Sequence, residues 1–168
     1  GQGQFVLRRR WSDLARIARR AAAHVPAALR RKHGLDPAAV LVVNIGTVCE
    51  RKGQHTFLQA ATLLRDELLR LCPGRGVRFV VVGAQPGLYL DALRQEAALT
   101  GLDLVDFVPE TPDIHDFYRL ADVFVCTSFE ESFPRVILES AGYRLHIVTT
   151  NVNGIGEMLT DEDAWLVP

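Results

Sequence analysis

Five short apolar runs, each separated from the next by a segment with helical spacing, restrict this chain more than any other feature. The runs are VLVVNI at 40–45, RFVVV at 78–82, LVDFV at 104–108, DVFVC at 122–126 and LHIV at 145–148. They are short, rich in β-branched residues and apolar on consecutive positions, as strands buried on both faces are. Between them, apolar residues recur at three- and four-residue steps. The stripes are Phe57, Ala61, Leu64, Leu68 and Leu71; Leu90, Leu93 and Ala97; Ile114, Phe117, Tyr118 and Ala121; and Phe133, Val136, Ile137 and Ser140. Each predicts a helix with one face on a sheet. Gly101 is the expected end of the second helix and Asp113 the expected N-cap of the third.

Strands alternating with helices across short loops imply an α/β chain, a Rossmann-like doubly wound parallel sheet. A chain of 168 residues is long enough for one such domain and too short for two. Hydrophobic residues at 48% and charged residues at 23% fit a globular chain. In this fold ligands lie outside the carboxyl ends of the strands. The segments that matter are therefore 46–53, 83–87, 109–112 and 127–134.

Residues 1–36 form a separate basic, helical segment ahead of the domain at 37–168. They carry nine Lys/Arg against Asp13 and Asp36, whereas the whole chain has a net charge of −1. The near-neutral sum gives no reason to expect nucleic acid as a partner. Within 8–33, Trp11, Leu14, Ile17 and Ala21 share a helical face, with a break expected at Pro26 and an end at Gly34. Packing on a protein surface is the first reading of that face. The alternative is peripheral contact with anionic lipid at the inner membrane surface. Cys49, Cys72 and Cys126 are odd in number and widely spaced, and no apolar run has the length of a membrane span. A cytoplasmic location is expected, with no disulfide framework, no metal site and no cofactor.

Two segments carry chemistry. The first is Gly46-Thr47-Val48-Cys49-Glu50-Arg51-Lys52-Gly53, between the first strand and the first long helix. Arg51 and Lys52 stand where a helix N-terminus adds its own N–H groups and dipole, a combination that suits a pyrophosphate and equally suits a solvated cap. The order is not that of a P-loop, and Gly83-Ala84-Gln85-Pro86-Gly87 lacks the spacing of a dinucleotide fingerprint, which counts against an NAD oxidoreductase.

The second is Glu131-Ser132-Phe133-Pro134-Arg135-Val136-Ile137-Leu138-Glu139. Ser132 is an N-cap type and Pro134 suits a first helical turn. Helical rise then separates Glu131 and Glu139 by about 12 Å. A glycosidase pair needs about 5–9.5 Å, so the two do not form one hydrolytic pair. A ligand lying along the helix start could touch both carboxylates, with a phosphate held by free amides near 133–135 and Arg135 alongside. The competing reading makes Glu131 a solvated carboxylate near a helix dipole.

Taken in order, IGTVCERKGQHTFLQAATLL, RFVVVGA, VDFVPETPDIHDFYRLADVFVCTSFEESFPRVILESAG and IVTTNVNGIGEML resemble the C-terminal domain of glycosyltransferase family 4, the retaining group with the two-domain GT-B fold. The resemblance spans about residues 40–168, and its most specific element is E-x7-E, Glu131 to Glu139. It implies a nucleotide-diphosphate sugar as donor and transfer of a hexosyl group without a metal. It further implies that Lys52 contacts the pyrophosphate and the backbone at Val108 and Pro109 receives the nucleobase. Glu139 would bind the ribose, and Glu131 would act at the reacting centre. The backbone amides of the segment Ser132-Phe133-Pro134-Arg135 would line the sugar-phosphate pocket.

The chain would then be one half of an enzyme whose acceptor is bound by an N-terminal domain absent here. Its closing C-terminal helix would also be absent, and the fragment alone would be inactive. Four positions depart from the family pattern. Thr47 stands where a second phosphate cation, an arginine, is common. Arg144 and His146 replace a glycine and a proline, and Asn153 replaces a glycine. These departures are the basis of the alternative, a degenerate GT-B domain kept as a non-catalytic interaction module. An epimerase or a phosphorylase is a weaker competitor, the latter for want of a marked pyridoxal-phosphate lysine.

Overall fold

The computed structural model describes residues 17, 19–21 and 27–168. In chain order the elements are α1 (Ala27–Lys32), β1 (Val40–Ile45), a 3-10 turn (Glu50–Lys52), α2 (Gln54–Leu71), β2 (Val77–Ala84), α3 (Leu88–Leu99), β3 (Val105–Pro109), α4 (Ile114–Leu120), β4 (Val123–Cys126), α5 (Arg135–Gly142), β5 (His146–Thr150), a second 3-10 turn (Asn153–Ile155) and β6 (Trp165–Val167). The strands form one sheet in the order β3-β2-β1-β4-β5-β6. Every recorded neighbour pair is parallel. The expected α/β doubly wound architecture is therefore what the chain adopts.

Consecutive apolar residues on the central strands serve two cores. Leu41, Val43 and Ile45 of β1 point to one face, with Val80, Val82, Phe124, Ile137 and Phe117. Val42 points to the other, with Phe79, Val81, Phe57, Leu58, Ala61, Leu93 and Ala97. Helices α2 and α3 thus cover one face and α4 and α5 the other. This double burial is why the strands lack polar–apolar alternation.

The stripe on α2 is only half used. Phe57 and Ala61 are buried, but Leu64 is 49% and Leu71 60% exposed. Of the second half of the stripe only Leu68 still packs, in part, against the core beneath α2.

Ile17 and Leu35 lie inside the first core, with Ala21 and Leu29 packed against it. The expected end at Gly34 is seen: its N–H and that of Leu35 return to the carbonyls of Arg31 and Arg30 at 3.0 and 2.9 Å. Trp11, Leu14 and Pro26 lie outside the described residues; of the face the lipid alternative would use, Ile17 and Ala21 are described, and both pack on the domain. Among the described residues no helix is long and apolar enough to cross a membrane.

Candidate active site at the diverging strand ends

The sheet order dictates where the loops meet. From β1 the chain crosses to β2 on one side, and from β4 it crosses to β5 on the other. The carboxyl ends of neighbours β1 and β4 are thus where the chain reverses direction across the sheet, the place at which such folds open a crevice. Loop 46–53 rises from one strand and loop 127–134 from the other.

Loop 46–53 is held from beneath. Gly46 and Val48 donate their N–H groups to the carbonyls of Val82 and Gly83 at 2.9 and 3.3 Å. Gln54, fully buried at the start of α2, donates Nε2 to the Thr47 carbonyl at 3.1 Å and accepts from the Cys49 N–H at 3.3 Å. Gly53 takes the left-handed conformation, φ 62°, where a Cβ would stand 2.1 Å from the Thr127 carbonyl oxygen. That approach ties the two loops together. The Thr127 hydroxyl donates to the Lys52 carbonyl at 3.2 Å, and the Phe129 N–H donates to the Arg51 carbonyl at 2.9 Å. Below them Asn44, buried in β1, donates to the Val125 carbonyl at 3.0 Å.

These ties bring Lys52 to Glu131, 79 residues further along the chain. The Lys52 ammonium donates to Oε1 of Glu131 in a short, part-buried ion pair. The Ser128 hydroxyl donates to the same oxygen at 2.8 Å. Arg51 Nη1 stands 3.9 Å from Oε2 and donates to the Glu130 carbonyl at 2.9 Å. Glu131 is only 6% exposed, so it is not a solvated carboxylate. Its carbonyl accepts from the Gly154 N–H at 3.0 Å, and Gly154 lies so close to Ser132 that a Cβ would stand 1.7 Å from the Ser132 carbonyl. The turn at 153–155, which in sequence looks like loop punctuation, is thus the support of the Glu131 loop.

Helix α5 begins later than its sequence suggests. Its N-cap is Pro134, not Ser132, and the cap makes no side-chain hydrogen bond. The Ser132 carbonyl is taken up in packing on Gly154, which keeps residues 131–133 out of the helix. Glu139 is on α5 and is 8% exposed. One of its oxygens accepts from the Tyr118 hydroxyl at 3.0 Å and the other from Arg135 Nη2 at 3.2 Å, one helical turn away. Tyr118 has no exposed surface. Burial, with the Glu139 charge beside it, raises its hydroxyl well above the ordinary tyrosine range.

Arg51, Lys52, Glu131 and Ser132 are therefore together, and Arg135 with Glu139 forms a second group. Gly46 and the exposed Thr47 lie at the end of β1, while Phe133 is half-buried and Pro134 buried. Val108 and Pro109 end β3, paired with Val82 and Ala84, two strands or about 10 Å from β1. A cavity of about 290 Å³ lies at the opposite, amino end of β4 and β5, beside Tyr118, Asp122, Tyr143 and His146. It shares no residue with the loops at the carboxyl edge. Among the described residues no cluster of three or more His, Cys, Asp or Glu is placed to hold a metal.

Sequence reading missed Ser128, Gln54 and Tyr118. Gln54 could have been suspected as a polar residue on the inward face at a helix start. Tyr118 looked like one more member of an apolar stripe, and Ser128 gave no signal before its neighbours in space were known.

Residues 39–168 match the family model described as Glycosyl transferases group 1. The chain belongs to that family. Among its relatives is D-inositol 3-phosphate glycosyltransferase of Nocardia farcinica, 33% identical over 141 residues, which are 80% of this chain and 30% of the relative. Among solved structures, Anabaena HepE in complex with UDP and glucose is 26% identical with a TM-score of 0.71, over 84% of this chain and 37% of that one. The C-terminal domain of the group 1 family protein LpcC from Francisella tularensis is also 26% identical, with a TM-score of 0.71, over 87% of this chain and 75% of that domain. The chain spans about a third of the length of the curated relatives it matches. Its sheet is the Rossmann-like unit of the GT-B fold.

Proposed function

We propose that this chain is the donor-binding, C-terminal domain of a retaining family 4 glycosyltransferase, and that it holds a nucleotide-diphosphate sugar across the ends of β1 and β4. The observation that carries the reading is the meeting of Lys52 with Glu131, a diphosphate-type cation beside a buried carboxylate, where the chain changes direction across the sheet. HepE, of the same fold, is described with UDP and with UDP-glucose at a comparable likeness to this chain.

In this reading the diphosphate lies over loop 46–53. Lys52 and Arg51 neutralise the charge that grows on it as the glycosidic bond breaks, with the N-terminal amides of α5 adding to them. Glu131 faces the sugar beside that bond. Glu139 accepts the two hydroxyls of a ribose after Arg135, whose side chain is 54% exposed, turns outward. The nucleobase rests toward Val108 and Pro109. A second domain supplies the acceptor, because transfer needs both substrates held across one cleft. The enzyme works in the cytoplasm, and any contact with an anionic membrane surface falls to the basic side chains of 8–33, since Ile17 and Ala21 pack on the domain itself.

Calorimetry of the chain with UDP, GDP and ADP tests the reading. At least one nucleotide binds, and K52A weakens it by about tenfold or more through loss of a charge-assisted contact. Absence of affinity for all three in the wild-type chain and in a longer enzyme containing it overturns the donor site. It would leave the non-catalytic alternative.

A further inference from the structure

We propose that Ser128 is a positioning residue for Glu131, holding the carboxylate in place when a bound diphosphate draws Lys52 away from it. The nature of that anion rests on the donor reading above; the hold of Ser128 on Glu131 does not.

In the free protein Lys52 and Ser128 donate to one and the same carboxylate oxygen. The two donors are anchored differently. Ser128 is 1% exposed, its carbonyl accepts from the Thr150 hydroxyl at 2.5 Å, and its hydroxyl accepts from the Cys126 thiol at 3.5 Å. The Ser128 backbone is thereby tied to the end of β5, and its short, buried side chain has little reach away from Glu131. Lys52 has a pinned backbone, through Thr127 and the Gly53 approach, but its ammonium rides on a four-carbon stem that is partly exposed. It can turn to an anion while its Cα stays.

A phosphate that Lys52 binds therefore competes with Glu131 for the ammonium, whose other N–H groups are free to turn toward it. Once the ammonium leaves, the buried carboxylate keeps Ser128 as its close donor, with Arg51 at 3.9 Å. A buried carboxylate stripped of its hydrogen bonds is costly. Ser128 thus makes the exchange feasible and keeps Glu131 aimed at the same point before and after. The diphosphate becomes the key that uncovers the carboxylate for the sugar attached to it.

Two opposite effects on affinity follow. E131Q removes both the competitor for Lys52 and a negative charge beside the phosphate, so a nucleoside diphosphate binds about tenfold tighter. S128A leaves Glu131 dependent on Lys52, so the same ligand binds about tenfold weaker.

The test is calorimetry with UDP, GDP and ADP on the 168-residue chain as wild type, S128A, S128T, E131Q and S128A/E131Q, with urea denaturation of each protein free of nucleotide. S128T, which retains the hydroxyl, stays within about twofold of wild type, and S128A has less than about a twofold effect in the E131Q background. In denaturation S128A is destabilising in the wild-type background and much less so in the E131Q background. Equal S128A effects in both backgrounds, or E131Q binding no tighter than wild type, overturn the proposal. If neither the wild-type chain nor a longer enzyme containing it binds a nucleotide, the donor reading is what fails, and the denaturation cycle then decides on Ser128 by itself: coupling upholds its hold on Glu131, and no coupling overturns it.

Discussion

Replacing Gly53 by alanine tests whether the close approach of the two loops shapes the site. Gly53 has φ 62°, and a Cβ there would stand 2.1 Å from the Thr127 carbonyl oxygen and 3.1 Å from its carbon. Left-handed strain alone costs about 1–2 kcal/mol for an alanine. The backbone contact cannot be relieved by rotating a side chain, so the loops must part. Parting strains two hydrogen bonds, Thr127 to the Lys52 carbonyl and Phe129 to the Arg51 carbonyl. At about 0.5–1.5 kcal/mol each, these bring the total for G53A to about 2–5 kcal/mol.

Gly74 is a built-in control. Its φ is 75° and nothing stands within 4 Å of an added Cβ. G74A meets the same kind of backbone strain, part of which is offset by the stiffer unfolded chain, for a net loss of about 1 kcal/mol. Urea denaturation of both variants measures the difference. For a domain of this size each kcal/mol moves Tm by about 2–4 °C, so a thermal melt resolves it as well. G53A also displaces Lys52 and weakens nucleotide binding, whereas G74A leaves binding alone. Equal destabilisation by the two substitutions would refute the claim that the inter-loop contact is what requires a glycine.

Other perturbations probe the rest of the framework. Y118F removes the buried hydroxyl that Glu139 accepts from and lowers stability by about 1–3 kcal/mol. The raised Tyr118 hydroxyl also gives stability that is whole below the ordinary tyrosine range near pH 10 and is lost as pH rises toward the folded value, so alkaline unfolding is shallower in Y118F, by circular dichroism against pH. Burial pushes the Asp116 carboxyl up, but bonds from Lys32 and His33 outweigh it and hold the group below the usual range. Its contribution is therefore present above the ordinary carboxyl range and fades as pH falls through the folded value. D116N costs less than about 1 kcal/mol at neutral pH and flattens the acid limb of the same titration. R144G raises stability by about 1 kcal/mol in urea denaturation, because Arg144 sits after α5 at φ 60° with its N–H on the Ala141 carbonyl, a helix-ending position that disfavours a Cβ.

The departures from the family pattern gain a physical account from the backbone. Arg144 and Asn153, both standing where the family commonly has glycine, are the non-glycine residues with positive φ among those described, at 60° and 42°. The chain keeps both turns and accepts the strain; Asn153 opens the turn that supports the Glu131 loop, whereas Arg144 stands at the opposite, amino end of β5. Thr47 is different. It is exposed and its carbonyl is held by Gln54; Arg51, 3.9 Å from Glu131, is a second cation beside Lys52.

Apolar residues on consecutive positions mark strands buried on both sides, and helical spacing marks what covers them; these local patterns determined the element types and the α/β class from the sequence. The order of the motifs likewise pointed to the family, and Lys52 and the pair Glu131 and Glu139 stood out through the motifs that carry them. What only the tertiary structure decided is adjacency. Periodicity says which face of a strand is buried and is silent on which strand lies beside it, so the order β3-β2-β1-β4-β5-β6, and with it the meeting of Lys52 and Glu131, is not written in any local stretch. The same holds for α5, whose first turn yields to the packing of Ser132 on Gly154, and for Ser128 and Tyr118, whose hydroxyls acquire a role only when a distant carboxylate is folded against them.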